Sequence, residues 1–240
     1  MVKSDKNCTT QGKRIENGAS PAFDAKEEIK SSHILHSDEE GYLKALLSYS
    51  TVRDVSAAAK SLLGRFSNLE GLFEADFRQI AESDCSNESV AHLIRLAVAL
   101  NKRRMTESVK VGKKYAPEAL EEYLKGLMLG NSVECVYMLV FDKVGRLLHT
   151  EFVSEGTVCA SDVLPRKILD AAVRNKAHSV IIAHNHPGGD ITPSSLDVFV
   201  TMHIKSVLKS AGVELEAHYI VAGGEVCKID LSSAQGRREV

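Results

Sequence analysis

The stretch that most narrows the fold is an apolar strand that runs directly into a turn and a long helix. His178 to Ala183 is a short apolar run with Val180-Ile181-Ile182 at its heart. Consecutive β-branched residues suit a strand covered on both faces. Pro187, Gly188 and Gly189 follow, and these residue types turn a chain sharply. From about Ser194 to Ala211 apolar residues recur at helical spacing, and Gly212 ends the pattern. Leu196, Phe199, Val200, Ile204, Val207 and Leu208 form the expected buried stripe. Upstream, Cys135 to Phe141 and Leu147 to Val153 read as a hairpin around the turn residues Asp142 to Gly145, and Val163 to Asn175 reads as a helix. Downstream, Val213 to Ala222 and Glu225 to Leu231 read as strands around Gly223-Gly224. The expected class is α/β (α+β), a mixed sheet flanked by helices.

The first half has a different texture. Residues 1–37 are rich in Lys, Ser, Asn, Asp and Glu and carry too few apolar groups to offset their ordering entropy, so a disordered tail is expected. Residues 38–106 form a small all-helical module. Tyr42, Leu43, Leu46 and Leu47 make one stripe, and Val55, Ala58, Ala59, Leu62 and Leu63 a second, with Gly64 as its expected stop. Leu69, Leu72 and Phe73 start a short element, Phe77 and Ile80 another, and Val90 to Asn101 a longer helix after a polar break from Glu82 to Ser89. Residues 107–117 read as a linker. Pro117 then opens a helix that runs to Leu129, stopped by Gly130. The mixed domain spans 118–232, and 233–240 is a C-terminal tail.

Composition removes several classes. The chain has 240 residues and a formal net charge of −2, which gives no global attraction to nucleic acid or anionic membrane. Asn101-Lys102-Arg103-Arg104 is the best candidate for a local basic patch, read either as solvated helix-end charge or as a nucleic-acid contact. The five cysteines, Cys8, Cys85, Cys135, Cys159 and Cys227, are scattered without a CxxC pair, as suits reduced thiols. No apolar run approaches the ~20 residues of a membrane span, and the first residues lack the apolar core of a signal peptide. A cytoplasmic protein with no membrane partner is expected.

The chemistry concentrates in His184-Asn185-His186-Pro187-Gly188-Gly189-Asp190-Ile191-Thr192-Pro193-Ser194-Ser195-Leu196-Asp197. Histidines at i and i+2 on extended backbone point to the same side, so both rings can meet one cation. A turn through Pro187 to Gly189 brings the next helix back towards them, where Asp197 can add an oxygen ligand. Three protein ligands with an open fourth position describe a catalytic zinc site. Asp197 also fits a second role, as the carboxylate of a capping box opened by Ser194.

The order His-x-His-Pro, six residues, Ser, two residues, Asp resembles the JAMM (MPN-plus, JAB) metalloprotease motif at His184, His186, Pro187, Ser194 and Asp197. Within that superfamily the segment is similar to the version in RadC-like proteins. Glu155-Gly156-Thr157 and Leu164-Pro165-Arg166-Lys167-Ile168 resemble that family's upstream segments, and the likeness covers about residues 118–232. It implies an MPN/JAB-type fold, zinc as cofactor, a protein or peptide substrate and amide or isopeptide hydrolysis. It also implies a catalytic glutamate on an early strand, matched by Glu134, whose plainer reading is a strand-start charge. In that scheme Glu134 relays the proton of a zinc-activated water, and Ser194 donates to the developing oxyanion.

Two positions depart from the RadC-like pattern. An Asp-His pair is usual on the late strand, and here it is Ala217-His218. Loss of that acid weakens the metal if it orients a ligand, and His218 stays a candidate for the outer shell. The helical module is similar to a degenerate helix-hairpin-helix region. Its break, Ser83-Asp84-Cys85-Ser86-Asn87-Glu88-Ser89, has no glycine and two acidic residues, which repel phosphate. The alternative role, a DNA repair or recombination accessory of RadC type with nucleic acid as partner, rests on the family likeness alone.

Overall fold

The computed structural model describes residues 38–156 and 163–231. The expected tails at 1–37 and 233–240, and Thr157, Cys8 and Cys159, lie outside the described residues. Five helices come first: α1 (Glu39–Leu47), α2 (Val55–Phe66), α3 (Leu69–Glu74), α4 (Phe77–Ala81) and α5 (Glu88–Thr106). Asp38, Asp54, Asn68, Asp76 and Asn87 cap them in turn, each side chain accepting a backbone N–H of its helix. Such a cap contributes about 1 kcal/mol. The helices close around Leu43, Leu47, Leu62, Leu72, Ile80, Ile94 and Val98. Gly64 does not stop α2. The helix continues to Phe66, and Ser67 takes the left-handed backbone (φ 71) that ends it.

Next come α6 (Pro117–Met128), β1 (Cys135–Phe141), β2 (Leu147–Glu155), α7 (Val163–Arg174), β3 (Ser179–Asn185), α8 (Ser195–Ser210), β4 (Glu214–Ala222) and β5 (Glu225–Lys228). The sheet order is β2-β1-β3-β4-β5. Among the described strands only β3 and β4 pair in parallel, and α8 makes their crossover. β3 is buried at all seven positions. One sheet face packs Val136, Met138, Val140, Val180 and Ile182 against α7 and α8. The other packs Leu139, Phe141, Ile181, Ala183 and Ala217 against α6.

The two halves are joined through α5 and α6. Gly126 lets these helices approach closely, since a Cβ there would sit 2.7 Å from the Cβ of Met105. Lys102 Nζ donates to the Leu127 carbonyl at 2.7 Å, and Arg95 Nη1 donates to the Gly130 carbonyl at 3.1 Å. These cations meet the negative end of α6. Arg103 pairs with Glu107 and Arg104 with Glu122. The basic cluster is thus engaged within the chain. In the segment read as a linker, Val109 is buried, and Gly112 and Lys113 exchange backbone hydrogen bonds with Leu147. Among the described residues, no helix is long and apolar enough to cross a membrane.

Candidate metal centre

Strand alternation decides which side chains meet. Val136 lies opposite His184 across β1–β3, and Ile182 lies beside His218 across β3–β4. His184 and His218 therefore share the face covered by α7 and α8. His186 follows the last residue of β3, with its amide donating to the Val221 carbonyl at 3.1 Å, which prolongs the extended path. The chain then turns. Gly189 adopts φ 77, a region disfavoured for residues with a Cβ, and its amide donates to the His186 carbonyl at 3.0 Å. The turn delivers the Asp190 carbonyl to His186 Nδ1, 2.7 Å away. A carbonyl only accepts, so Nδ1 carries a hydrogen, and in the neutral ring Nε2 is bare.

Asp197 forms the expected capping box and also stands beside the two histidines. The Asp197 amide donates to Ser194 Oγ at 3.1 Å, while the Ser194 amide and hydroxyl donate to Asp197 Oδ2 at 2.8 and 2.6 Å. This capping box fixes the carboxylate at the start of α8 and turns it towards the histidines. Asp197 Oδ1 stands 3.4 Å from His184 Nε2, and Oδ2 stands 3.5 Å from His186 Nε2. The two Nε2 atoms are 3.0 Å apart. Ligand atoms of all three residues lie within 4.8 Å of one another, near enough for one metal ion. Side-chain exposure is 3% for His184, 11% for Asp197 and 20% for His186, so the cluster opens on the His186 side.

Burial alone would raise the Asp197 pKa. The His184 ring beside it, and hydrogen bonds from Ser194, outweigh it and hold the carboxyl well below the usual range, so it is ionised. Behind His184, Nδ1 lies 2.8 Å from His218 Nε2, and His218 Nδ1 lies 2.6 Å from Thr201 Oγ1. Burial first, and the His184 ring second, hold His218 far below the ordinary imidazole range, so it is neutral. Thr201 Oγ1 is also 2.5 Å from the Asp197 carbonyl oxygen.

Glu134 precedes β1 and lines the same small cavity as His184, Asp197 and His218, together with Val136, Leu164 and Leu196. Its carbonyl accepts from the Gly156 amide at 2.7 Å. From the opposite face, Asn185 grips the segment around it. Asn185 Oδ1 accepts from the Cys135 amide at 2.8 Å, and Nδ2 donates to the Val133 carbonyl at 3.1 Å. Asn185 and Thr201 carry no signal in a single sequence, because their roles exist only once the strands are paired.

Two expectations are corrected. Ala217 packs in the core beneath α6, beside Ile181 and across the sheet from the ligands. An irregularity in the β3–β4 register comes just before it, and neighbouring Glu216 accepts a hydrogen bond from Ser179. The missing acid therefore leaves the ligand face untouched. In α8, Val200, Thr201, Ile204 and Leu208 are buried, while Leu196 and Phe199 are exposed at 46% and 56%. Leu196 falls about a quarter-turn off the core stripe, beside Asp197, and Phe199 nearly half a turn off it.

Residues 115–233 match the family model of the RadC-like JAB domain. A UPF0758 protein of Herminiimonas arsenicoxydans is 30% identical over 168 residues, covering 70% of this chain and 75% of the relative. The chain belongs to the RadC-like JAB family. A UPF0758 protein of Vibrio cholerae is also 30% identical, over 174 residues covering 72% of this chain and 78% of the relative. One from Chromobacterium violaceum is 29% identical over 185 residues, covering 76% and 83%. These matches are longer than the chain from residue 115 to its end, so the likeness to RadC-like proteins reaches into the helical module. The JAB domain match contains His184, His186 and Asp197, a cluster consistent with a JAMM-type metal site.

Proposed function

We propose that this RadC-like chain is a zinc-dependent hydrolase of amide or isopeptide bonds, with proteins or peptides as substrates. The observation that carries the proposal is the convergence of His184 Nε2, His186 Nε2 and the Asp197 carboxylate, with Glu134 in the same cavity. Two imidazoles and a carboxylate are a donor set that suits zinc. Ligands ~2.0–2.1 Å from a tetrahedral centre stand ~3.3 Å apart. The separations here are 3.0, 3.4 and 3.5 Å. Three protein ligands leave one position for the reaction, as in catalytic zinc sites.

When bound, zinc supplies Lewis acidity and lowers the pKa of water towards ~7. The chain's own residues supply the rest. Glu134 takes a proton from the attacking water and returns it to the departing amine nitrogen. Ser194 offers its hydroxyl to the carbonyl oxygen as negative charge builds there. That hydrogen rests on Asp197 Oδ2, and rotation about Cβ–Oγ turns it towards a substrate. The shared cavity measures only about 10 Å³, which keeps a polypeptide at the mouth, beside exposed Leu196.

The test is cleavage of peptide and isopeptide-linked substrates by the zinc-loaded full chain. Chelation is expected to abolish turnover. Glu134→Gln is expected to keep the metal and lower kcat by ~10²–10⁴-fold, the usual range for losing a general base. Equal turnover in Glu134→Gln, or no amide cleavage by the zinc-loaded protein, contradicts the proposal.

A further inference from the structure

We infer that Thr201 and His218 form a hydrogen-bond relay that holds His184 in the tautomer with a bare Nε2, the form able to bind metal. The inference rests on the metal-site reading above and adds two positioning residues to it.

The relay follows from counting hydrogens. A threonine hydroxyl has one hydrogen to give. Its oxygen lies 2.5 Å from the Asp197 carbonyl, which has none, so the Thr201 hydrogen occupies that contact. His218 Nδ1, 2.6 Å from the same hydroxyl oxygen, must then bring its own hydrogen. A neutral imidazole protonated at Nδ1 has a bare Nε2. The 2.8 Å contact between His218 Nε2 and His184 Nδ1 is therefore filled by a hydrogen on His184 Nδ1. That leaves His184 Nε2 with its lone pair towards Asp197 and His186; its 3.0 Å contact with His186 Nε2 then holds no hydrogen, and a cation shared by the two lone pairs would bridge it.

The reverse order fails. If Thr201 donated to His218, His218 would donate from Nε2 to His184 Nδ1. His184 would then carry its hydrogen on Nε2, where it blocks coordination. The Thr201 and Asp197 oxygens would face each other at 2.5 Å with nothing between them.

His186 reaches the same tautomer in one step, through the Asp190 carbonyl. Ligating histidines usually donate to a carboxylate, a carbonyl or a water. His184 instead donates to a second neutral histidine, so it needs a further group to fix that ring, and Thr201 supplies it. The relay also begins on the main chain of Asp197. It thus ties the start of α8, which carries the carboxylate, through β4 to the ring on β3.

Two measurements on the full-length protein test the relay. In the metal-free wild type, ring ¹⁵N NMR is expected to show the hydrogen on Nδ1 in both His184 and His218. A hydrogen on His218 Nε2 overturns the relay. In chelator-competition titrations Thr201→Val is expected to bind zinc ~10–100-fold more weakly, the usual cost of losing an outer-shell partner. Thr201→Ser, which keeps the hydroxyl, should bind as the wild type does. Wild-type affinity in Thr201→Val overturns the relay. Failure of the wild type to bind zinc overturns the metal-site reading instead, and the ¹⁵N spectrum still decides the hydrogen order. It also decides the matter if Thr201→Val does not fold.

Discussion

The Cys135 amide donates to Asn185 Oδ1 at 2.8 Å, which ties the residue beside Glu134 to the residue between His184 and His186. Glu134 is placed by this bond from one face of the sheet and faces the ligands on the other. Asn185 is buried, so truncating it leaves the Cys135 amide and the Val133 carbonyl without these partners. Asn185→Ala is expected to cost ~1–3 kcal/mol in urea unfolding for each group left unsatisfied. It should lower kcat by more than about tenfold, because a small displacement of a catalytic group is costly. Zinc content should not change. An unchanged kcat in folded Asn185→Ala would show that the clamp does not position Glu134.

Ser194 serves the helix and the carboxylate through one hydroxyl. Ser194→Ala is expected to lower stability by about 1 kcal/mol, the usual loss of a cap, seen as a lower Tm. Turnover should fall further, by ~10²-fold, as for a lost oxyanion donor. Ser194→Thr keeps a hydroxyl and should retain most of both. If Ser194→Ala lowers Tm but not kcat, Ser194 acts only as a cap.

A pH effect is also expected outside the ligand cluster. Glu74 faces a cavity between the helical module and the sheet, together with Glu70 on its own helix, Glu39 on α1 and Lys125 on α6. Burial, and then the Glu70 carboxylate, push the Glu74 pKa up to about 7. Between its ordinary value of 4.5 and about 7 the folded chain holds a proton that the unfolded chain has lost. This contribution to stability is therefore full below pH 4.5 and is lost as pH rises through 7. Glu74→Gln should match the wild type in Tm at pH 5 and exceed it at pH 8. Equal Tm values at both pH values would contradict this.

The sequence made the candidate metal ligands legible because their spacing is local. His184 and His186 need only an extended backbone, and Ser194 to Asp197 needs only the first turn of a helix. Whether Asp197 caps or coordinates was open from sequence. The structure makes the alternatives compatible, since a carboxylate has two oxygens and the capping box itself aims them at the histidines. Strand pairing was not legible, and with it the contacts of Thr201, His218 and Asn185. Helical periodicity locates α8 but does not say which side faces the sheet, so it counts Leu196 and Phe199 as core, whereas both are exposed and Leu196 lines the cavity. Which face Ala217 occupies is equally hidden from the sequence, because a register irregularity is invisible without the partner strand.

The most direct test of the account is zinc content per chain after purification and dialysis. The wild type is expected to hold about one zinc, as suits a single tetrahedral site. His184→Ala, His186→Ala and Asp197→Ala are each expected to lose it while keeping their helical circular dichroism. A wild type without zinc, or full occupancy in all three variants, would contradict the assignment of His184, His186 and Asp197 as a metal centre.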